Sequence, residues 1–300
     1  MIKLPSGVEI NNLIDDLKVF SWEASEILLY YSQILKDSSN NSNIIKNNNF
    51  EDPVTLADLE VNKLIIQRIN GKYKDIGWTI LSEENVKIKP HSCDINSDWV
   101  WVLDPLDGTK DFIQGTKNYA MHLALNYKQR PYLGVVLIPE KAELWISDGE
   151  KTWCEMRNSK TSGTNSSRSK KLKEMIIVTS KNHSNANLHN LIEKVGFKDV
   201  KVMGSIGCKI SSILRGESDI YISLSLPGKS SPKDWDFSAP EAVLKAAGGA
   251  ITNLENEPLS YGKKDFEQKG IIIASNNKLT HKEVCFDIKE IIKKYDLYPL

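Results

Sequence analysis

The chain has 300 residues, of which 40% are hydrophobic and 26% charged, a balance typical of a globular protein with one large domain or two. Its 39 basic and 39 acidic residues cancel, which argues against a nucleic-acid-binding protein, since such proteins carry a basic excess. The four cysteines form no CxxC pair, so we expect free thiols. No apolar run reaches the roughly 18 residues of a membrane span and no secretory signal is visible, so we expect a cytoplasmic protein.

The first part of the sequence predicts two helices. Apolar residues recur every three or four positions over residues 12–36, which indicates a long amphipathic helix. Thr55 is in the position of an N-cap for a second helix, and Asp58 follows it at the spacing of a capping box. This segment therefore has a purely structural interpretation as well as a functional one.

Residues 99–112 read WVWVLDPLDGTKDF and begin with an apolar run that predicts a strand buried on both faces. Pro105 interrupts a sheet ladder, so we expect Asp104 at the strand end with its carboxylate pointing out of the core. Asp107 follows, and Gly108 permits a tight turn. Two carboxylates beside such a turn suit a divalent cation and a phosphate, although Asp-Pro and Asp-Gly are also common in plain turns.

Further acids lie at the ends of predicted elements. Glu83 and Glu84 follow a short apolar run that predicts a strand, and the polar residues 85–98 after them predict a loop. Asp236 follows a loop rich in Gly, Pro, Ser and Lys, and it is in the position of an N-cap for a helix over about residues 237–247.

The order of elements changes in the middle of the chain. Residues 120–156 predict an antiparallel meander, whereas residues 157–173 are poor in hydrophobic residues and indicate a domain boundary. Beyond them strands and helices alternate, as in an α/β unit. We therefore predict an N-terminal α+β domain over residues 1–160 and a C-terminal α/β domain over residues 161–300.

Taken in chain order, these acids resemble the motifs of the inositol monophosphatase superfamily of metal-dependent, lithium-sensitive phosphatases. The matching segments are VTxxD at 54–58, the acids at 83–84, DPxDGT at 104–109 and WD at 235–236. The resemblance covers nearly the whole chain. It implies an α+β/α/β fold layered as an α/β/α/β/α sandwich, of the inositol monophosphatase and fructose-1,6-bisphosphatase type, with the active site between the two halves.

Within this superfamily, three segments of the chain resemble one branch in particular, the 3'(2'),5'-bisphosphate nucleotidases. Residues 110–112 read KDF, where inositol monophosphatases usually have a small residue followed by Asn-Phe. Residues 204–209, GSIGCK, parallel a G-S/A-x-x-x-K loop that holds the nucleotide in that branch, and residues 179–183 parallel an S-x-S-H segment. Asn182 and Cys208 depart from the pattern, which puts the substrate contacts in more doubt than the metal ligands.

The resemblance implies a role for each matching residue. The implied metal ligands are Glu83, Asp104, the carbonyl of Leu106, Asp107 and Asp236. The implied catalytic residues are Asp58 and Thr109, which would orient and help deprotonate the attacking water, together with Glu83. The implied phosphate contacts are the N–H groups of Gly108 and Thr109, and the implied nucleotide contacts are His183, Ser205 and Lys209. Two or three Mg2+ ions are implied, which Mn2+ can replace.

The implied activity is that of a Mg2+-dependent phosphatase of sulfur metabolism. It would remove the 3'-phosphate of adenosine 3',5'-bisphosphate, or also of phosphoadenosine phosphosulfate, and adenosine bisphosphate would yield AMP and phosphate. Its partner would be this small nucleotide, bound by a monomer or homodimer. One alternative is an inositol monophosphate or inositol polyphosphate 1-phosphatase. Another, from a different class, is a catalytically silent metal-dependent binder of anionic nucleotides.

Overall fold

The computed structural model describes residues 2–37, 44–47, 53–88, 97–157, 159–162, 169–181 and 185–299, which form helices around two main sheets. The α-helices are α1 (Ile10–Asp37), α2 (Leu56–Lys72), α3 (Glu83–Ile88), α4 (Thr109–Ile113), α5 (Ala186–Val195), α6 (Ile206–Leu214), α7 (Asp234–Ala246) and α8 (His281–Tyr295). The strands are β1 (Ile45–Asn47), β2 (Val54–Thr55), β3 (Thr79–Ser82), β4 (Trp99–Asp107), β5 (Ala120–Tyr127), β6 (Arg130–Ile138), β7 (Glu143–Ser147), β8 (Thr152–Met156), β9 (Ser159–Ser162), β10 (Ile176–Ser180), β11 (Asp199–Met203), β12 (Ile220–Ser225), β13 (Ala250–Asn253) and β14 (Gly270–Ser275).

The larger sheet has the order β3-β4-β5-β6-β7-β8-β9. Strand β3 is parallel to β4 and the other pairs are antiparallel, which confirms the predicted meander. The prediction that the strand ends at Asp104 is wrong, because β4 continues to Asp107 after a shift in its register with β5. This irregularity places Asp104 and Asp107 close together at the end of one strand.

The smaller main sheet has the order β11-β10-β12-β14-β13, with β10 parallel to β11 and β12. Strand β14 is antiparallel to both of its neighbours. The predicted domain boundary at residue 160 falls inside β9 of the larger sheet, and the division of the chain into two domains stays a prediction.

The two sheets and the helices form five layers. The helices α1 and α2 pack on one face of the larger sheet, α6 and α7 lie between the two sheets, and α5 and α8 cover the outer face of the smaller sheet. Each sheet thus buries both faces, which requires helix layers on the outside as well as between the sheets. The predicted α/β/α/β/α sandwich is confirmed. Among the described residues, none of the helices combines the length and the apolar composition that a membrane crossing requires.

The ends of two helices matter for the site. Thr55 caps α2, since its hydroxyl accepts from the Ala57 N–H at 3.1 Å while Asp58 accepts from the Thr55 N–H at 2.8 Å, which confirms the capping box. The prediction that Asp236 is the N-cap of α7 is wrong. The helix begins at Asp234, and Asp236 lies in its first turn, where its carboxylate accepts from the Lys233 N–H at 2.5 Å. Lys233 is thus the N-cap, and Asp236 is the third residue of the helix in a capping-box arrangement.

Candidate active site

Three aspartates from two elements meet where β4 and α7 come together. Asp104 and Asp107 lie at the end of β4 and Asp236 in the first turn of α7, and one carboxylate oxygen of each lies within 4.8 Å of the others. The expectation that Asp104 points out of the core is wrong, because only 2% of this residue is exposed. The strand therefore delivers its carboxylate into a buried acidic pocket.

The electrostatics of this acidic triad favour a bound cation. Burial, and then the charges of Glu83 and Asp107, raise the pKa of Asp104 well above its ordinary value. Burial, and then Asp107 and Glu83, likewise raise the pKa of Asp236 well above its ordinary value. A divalent cation relieves this repulsion, and a donor set of carboxylate oxygens without Cys or His matches a hard ion such as Mg2+. The residues present therefore fit the metal that the family resemblance implies.

Glu83 extends the triad from a third element. It begins α3 directly after β3, and its charge contributes to the raised pKa of Asp104, after burial. Lys87, one turn further along, brings Nζ to 3.0 Å from Glu83 Oε1 and 3.2 Å from Glu84 Oε1. The predicted loop over 85–98 is thus wrong for residues 85–88, which are helical, whereas residues 89–96 lie outside the described part of the chain.

Asp58 and Thr109 form a second pair, in which Asp58 is buried and Thr109 is half-buried. Asp58 Oδ2 accepts from the backbone and the hydroxyl of Thr55 at 2.8 and 2.6 Å, while the Thr109 hydroxyl lies 3.3 Å from Asp58 Oδ1 and 3.0 Å from the Leu106 carbonyl. Burial, supported by the nearby charge of Glu84, raises the pKa of Asp58 to about 7. A carboxyl group with this pKa can accept a proton near neutral pH.

The turn between the triad and Thr109 requires glycine. Gly108 adopts φ +87°, and an ideal Cβ on it would lie 2.9 Å from the carbonyl oxygen of Asn118. A side chain there would meet both backbone strain and a clash. The turn leads directly into α4, so the backbone N–H groups of Gly108 and Thr109 lie at a helix start.

Asp107 is held from the other half of the chain. Its Oδ2 accepts from the Ser205 hydroxyl at 2.6 Å and from the Gly207 N–H at 3.0 Å. Ser205 is also the N-cap of α6, accepting from the Cys208 N–H at 3.1 Å. The N-terminal end of α6, which carries the positive end of the helix dipole, thus faces a carboxylate of the triad.

Two of the three predicted nucleotide contacts, Ser205 and Lys209, have protein partners in this structure. Only 1% of Lys209 is exposed, and its Nζ donates to the Gly204 carbonyl at 2.5 Å and lies 5.1 Å from the centre of the Tyr221 ring. Burial lowers the pKa of Lys209, and the charge of Asp107 opposes this effect. Ser205 is fully buried, and His183 lies outside the described residues. Their contacts with a nucleotide stay predictions.

Asp111 joins the turn after the triad to the loop before α6. It is buried, accepts from the Thr116 hydroxyl at 2.5 Å, and packs so closely on Gly204 that an ideal Cβ there would lie 2.1 Å from Asp111 Oδ2. Its charge partly opposes the lowering of the Lys209 pKa that burial causes. The two segments that resemble the nucleotidase branch are therefore in direct contact.

We expect Gly204→Ala to lower the free energy of unfolding by about 1–3 kcal/mol, the usual cost of overpacking a filled site. The new methyl group must displace Asp111, which is short and already bonded to Thr116. Urea unfolding measures the loss. Adding Asp111→Ala to the same chain should recover part of it, because the smaller side chain leaves room for the methyl group. Gly71→Ala in α2 is the matched control, since nothing lies within 4 Å of its Cβ position and a helical alanine is favourable.

The sequence alone did not single out His122. This residue is fully buried on β5, its Nε2 lies 3.2 Å from Asp107 Oδ2, and its Nδ1 lies 3.3 Å from the carbonyl oxygen of Trp235. A histidine inside an apolar strand looks like an ordinary core residue. The register of β4 against β5, which pairs Asp104 with His122, is the feature that identifies it.

Comparisons with known proteins agree with this geometry. Residues 16–293 match the inositol monophosphatase family. The chain is 27% identical over 218 residues to the 3'(2'),5'-bisphosphate nucleotidase CysQ of Escherichia coli K12, covering 71% of this chain and 81% of that protein. The fold is similar to an IMPase of Thermotoga maritima (TM-score 0.71, 22% identity, 95% and 99% of the chains covered) and to inositol monophosphatase-II of Staphylococcus aureus (TM-score 0.71, 22%, 93% and 94%). The chain belongs to the inositol monophosphatase family, a family of phosphatases.

Proposed function

We propose that this protein is a Mg2+-dependent 3'(2'),5'-bisphosphate nucleotidase that hydrolyses the 3'-phosphate of adenosine 3',5'-bisphosphate. The observation that carries the proposal is the contact between Asp111 and Gly204, which joins the two nucleotidase-like segments beside the acidic triad. The relatives named CysQ, at 26–28% identity, support the same substrate. The proposal also includes a role in sulfur metabolism, inhibition by lithium, a cytoplasmic location and a monomeric or homodimeric state.

The triad, with Glu83 and the Leu106 carbonyl, would hold the metal. When bound, a divalent cation supplies positive charge that offsets the dianionic phosphate. We assign to Asp58 and Thr109 the orientation of the attacking water, because their side chains are bonded to each other beside the Leu106 carbonyl. The N–H groups of Gly108 and Thr109 would orient the phosphate oxygens.

In the proposed reaction, water displaces the ribose 3'-oxygen from phosphorus. A water oxygen forms the new bond to phosphorus, and Asp58, whose pKa of about 7 suits a base at neutral pH, takes up its proton. The bond between phosphorus and the ribose 3'-oxygen breaks, the ribose oxygen leaves and takes a proton from a solvent water molecule, and Asp58 returns its proton to solvent. The products are AMP and inorganic phosphate.

The experiment is a comparison of phosphate release from adenosine 3',5'-bisphosphate, phosphoadenosine phosphosulfate and inositol 1-phosphate. We expect the purified protein with Mg2+ to have a kcat/KM at least about 10²-fold higher for adenosine bisphosphate than for inositol 1-phosphate, as expected when a site hydrogen-bonds groups that the poorer substrate lacks. Mn2+ should replace Mg2+, and lithium should inhibit.

Three outcomes would contradict the proposal in different ways. A preference for inositol phosphates would replace the nucleotidase by an inositol phosphatase of the same family. Equal rates with metal and with a chelator would contradict the metal assignment. Tight nucleotide binding without phosphate release from any substrate would indicate a catalytically silent binder.

A further inference from the structure

His122 lies directly opposite Asp104 in the larger sheet. The two residues are paired in the register of β4 against β5, and 0% of His122 is exposed. Opposite residues of an antiparallel pair share a face of the sheet. The imidazole and the Asp104 carboxylate therefore point to the same side of the sheet, toward α6 and α7.

The two nitrogens of this ring approach two different parts of the triad. Nδ1 lies 3.3 Å from the carbonyl oxygen of Trp235, the residue before Asp236. Nε2 lies 3.2 Å from Asp107 Oδ2, outside hydrogen-bond alignment. One rigid ring thus spans the distance between the end of β4 and the first turn of α7.

The start of α6 leaves the ring no room to move. An ideal Cβ on Gly207 would lie 2.3 Å from His122 Nε2, and the Gly207 N–H donates to the same Asp107 oxygen at 3.0 Å. The Ser205 hydroxyl donates to this oxygen as well, at 2.6 Å. Three groups therefore surround Asp107 Oδ2, and the imidazole is the one that also reaches α7.

We propose that His122 is a positioning residue that sets the placement of Asp107 relative to Asp236, and through it the affinity of the triad for a divalent cation. This inference rests on the proposed function, in which the triad holds that cation. Groups that orient metal ligands in this way typically change metal affinity by about 10- to 100-fold when they are removed.

The test is direct binding of Mn2+ to the full chain, followed by the electron paramagnetic resonance signal of the free ion. We expect His122→Ala to weaken Mn2+ binding by about 10- to 100-fold. An asparagine places its amide near the position of Nδ1, and a glutamine places its amide near the position of Nε2. His122→Asn should therefore keep the contact with Trp235 and lose the one with Asp107, and His122→Gln should do the reverse. Each variant loses one of the two contacts, so both should bind Mn2+ more tightly than the alanine variant and more weakly than wild type.

His281 supplies the matched control. It is the other buried histidine of the described residues with contacts at both nitrogens, to the hydroxyls of Ser275 and Thr252 at 2.7 and 2.8 Å. His281→Asn should lower the melting temperature and leave Mn2+ affinity within about 2-fold of wild type, the scatter that independent sites allow.

The outcomes separate the two proposals. Wild-type affinity in His122→Ala overturns the inference and leaves the proposed function standing. If the alanine variant does not fold, the asparagine and glutamine variants decide, and wild-type affinity in both overturns the inference. A wild-type chain that does not bind Mn2+ overturns the metal site and the inference together.

Discussion

Asp104→Asn should lower turnover by at least about 10³-fold, because stabilisation by a bound cation is worth several kcal/mol and each 1.4 kcal/mol or so is a factor of ten in rate. The same change should raise the melting temperature of the metal-free protein. Burial and the charges of Glu83 and Asp107 raise the pKa of Asp104, so its ionised form is destabilising in the fold. Asparagine removes the charge and keeps the oxygen that accepts from the Leu106 N–H at 3.0 Å.

Phosphate release with Mg2+ measures the loss of turnover. Thermal unfolding in a chelator measures the melting temperature of the metal-free protein. Asp219→Asn is the matched control, because Asp219 is equally buried but is paired with Lys170 at 2.7 Å and accepts from the Ile176 N–H at 2.8 Å. Removing that charge should lower the melting temperature and leave turnover unchanged. Full turnover in a folded Asp104→Asn protein would contradict the assignment of Asp104 as a metal ligand.

The stabilisation by Mg2+ should be greater at about pH 8 than at about pH 5. Burial, supported by the charges of Glu84 and Glu83, raises the pKa of Asp58 from 3.8 to about 7, and burial with the neighbouring acids raises the pKa of both Asp104 and Asp236. A folded-state pKa above the unfolded value means that protonation favours the fold. This contribution is fully present below about pH 4 and is lost as the pH rises through about 7.

The size of the effect follows from the same pKa values. For Asp58 alone, the rise from 3.8 to about 7 corresponds to about 4 kcal/mol, at about 1.4 kcal/mol per pH unit. A cation offsets this repulsion only when the carboxylates are ionised. Mg2+ at about 100 times its Kd should add about 2.7 kcal/mol to the free energy of unfolding.

The measurement is the difference in melting temperature between Mg2+ and a chelator at each pH. Groups far from the triad cancel in this difference, including His281, whose burial lowers its pKa to about 4 and which destabilises the fold as the pH falls. Asp104→Asn should flatten the dependence on pH. A difference that is the same at both pH values would contradict the account of coupled buried acids.

The strand–turn–helix segment over residues 99–112 shows how much of the site local sequence patterns predict. The apolar run, the glycine and the acids of residues 99–112 predict a buried strand that ends at a turn with two carboxylates, and this is what forms, with the strand three residues longer than expected. The capping box at Thr55 follows equally from local spacing, because its hydrogen bonds join residues within one turn. The predicted start of α7 at about residue 237 is wrong, since the helix begins at Asp234, directly after a residue that is bonded to Glu267, 34 positions away.

The sequence by itself predicted most of the helices and strands, because periodicity, capping and turn chemistry act over a few residues. The layered fold and the set of site acids followed from the resemblance of its motifs to the inositol monophosphatase superfamily. The tertiary structure alone decided what holds those acids in place. His122 on β5 contacts Asp107 on the neighbouring strand β4. Ser205 and Gly207, at the start of α6, donate hydrogen bonds to the same Asp107 carboxylate. Lys209 points inward and donates to the Gly204 carbonyl. These contacts depend on how distant segments pack, and burial at that junction is what shifts the pKa values of the acids.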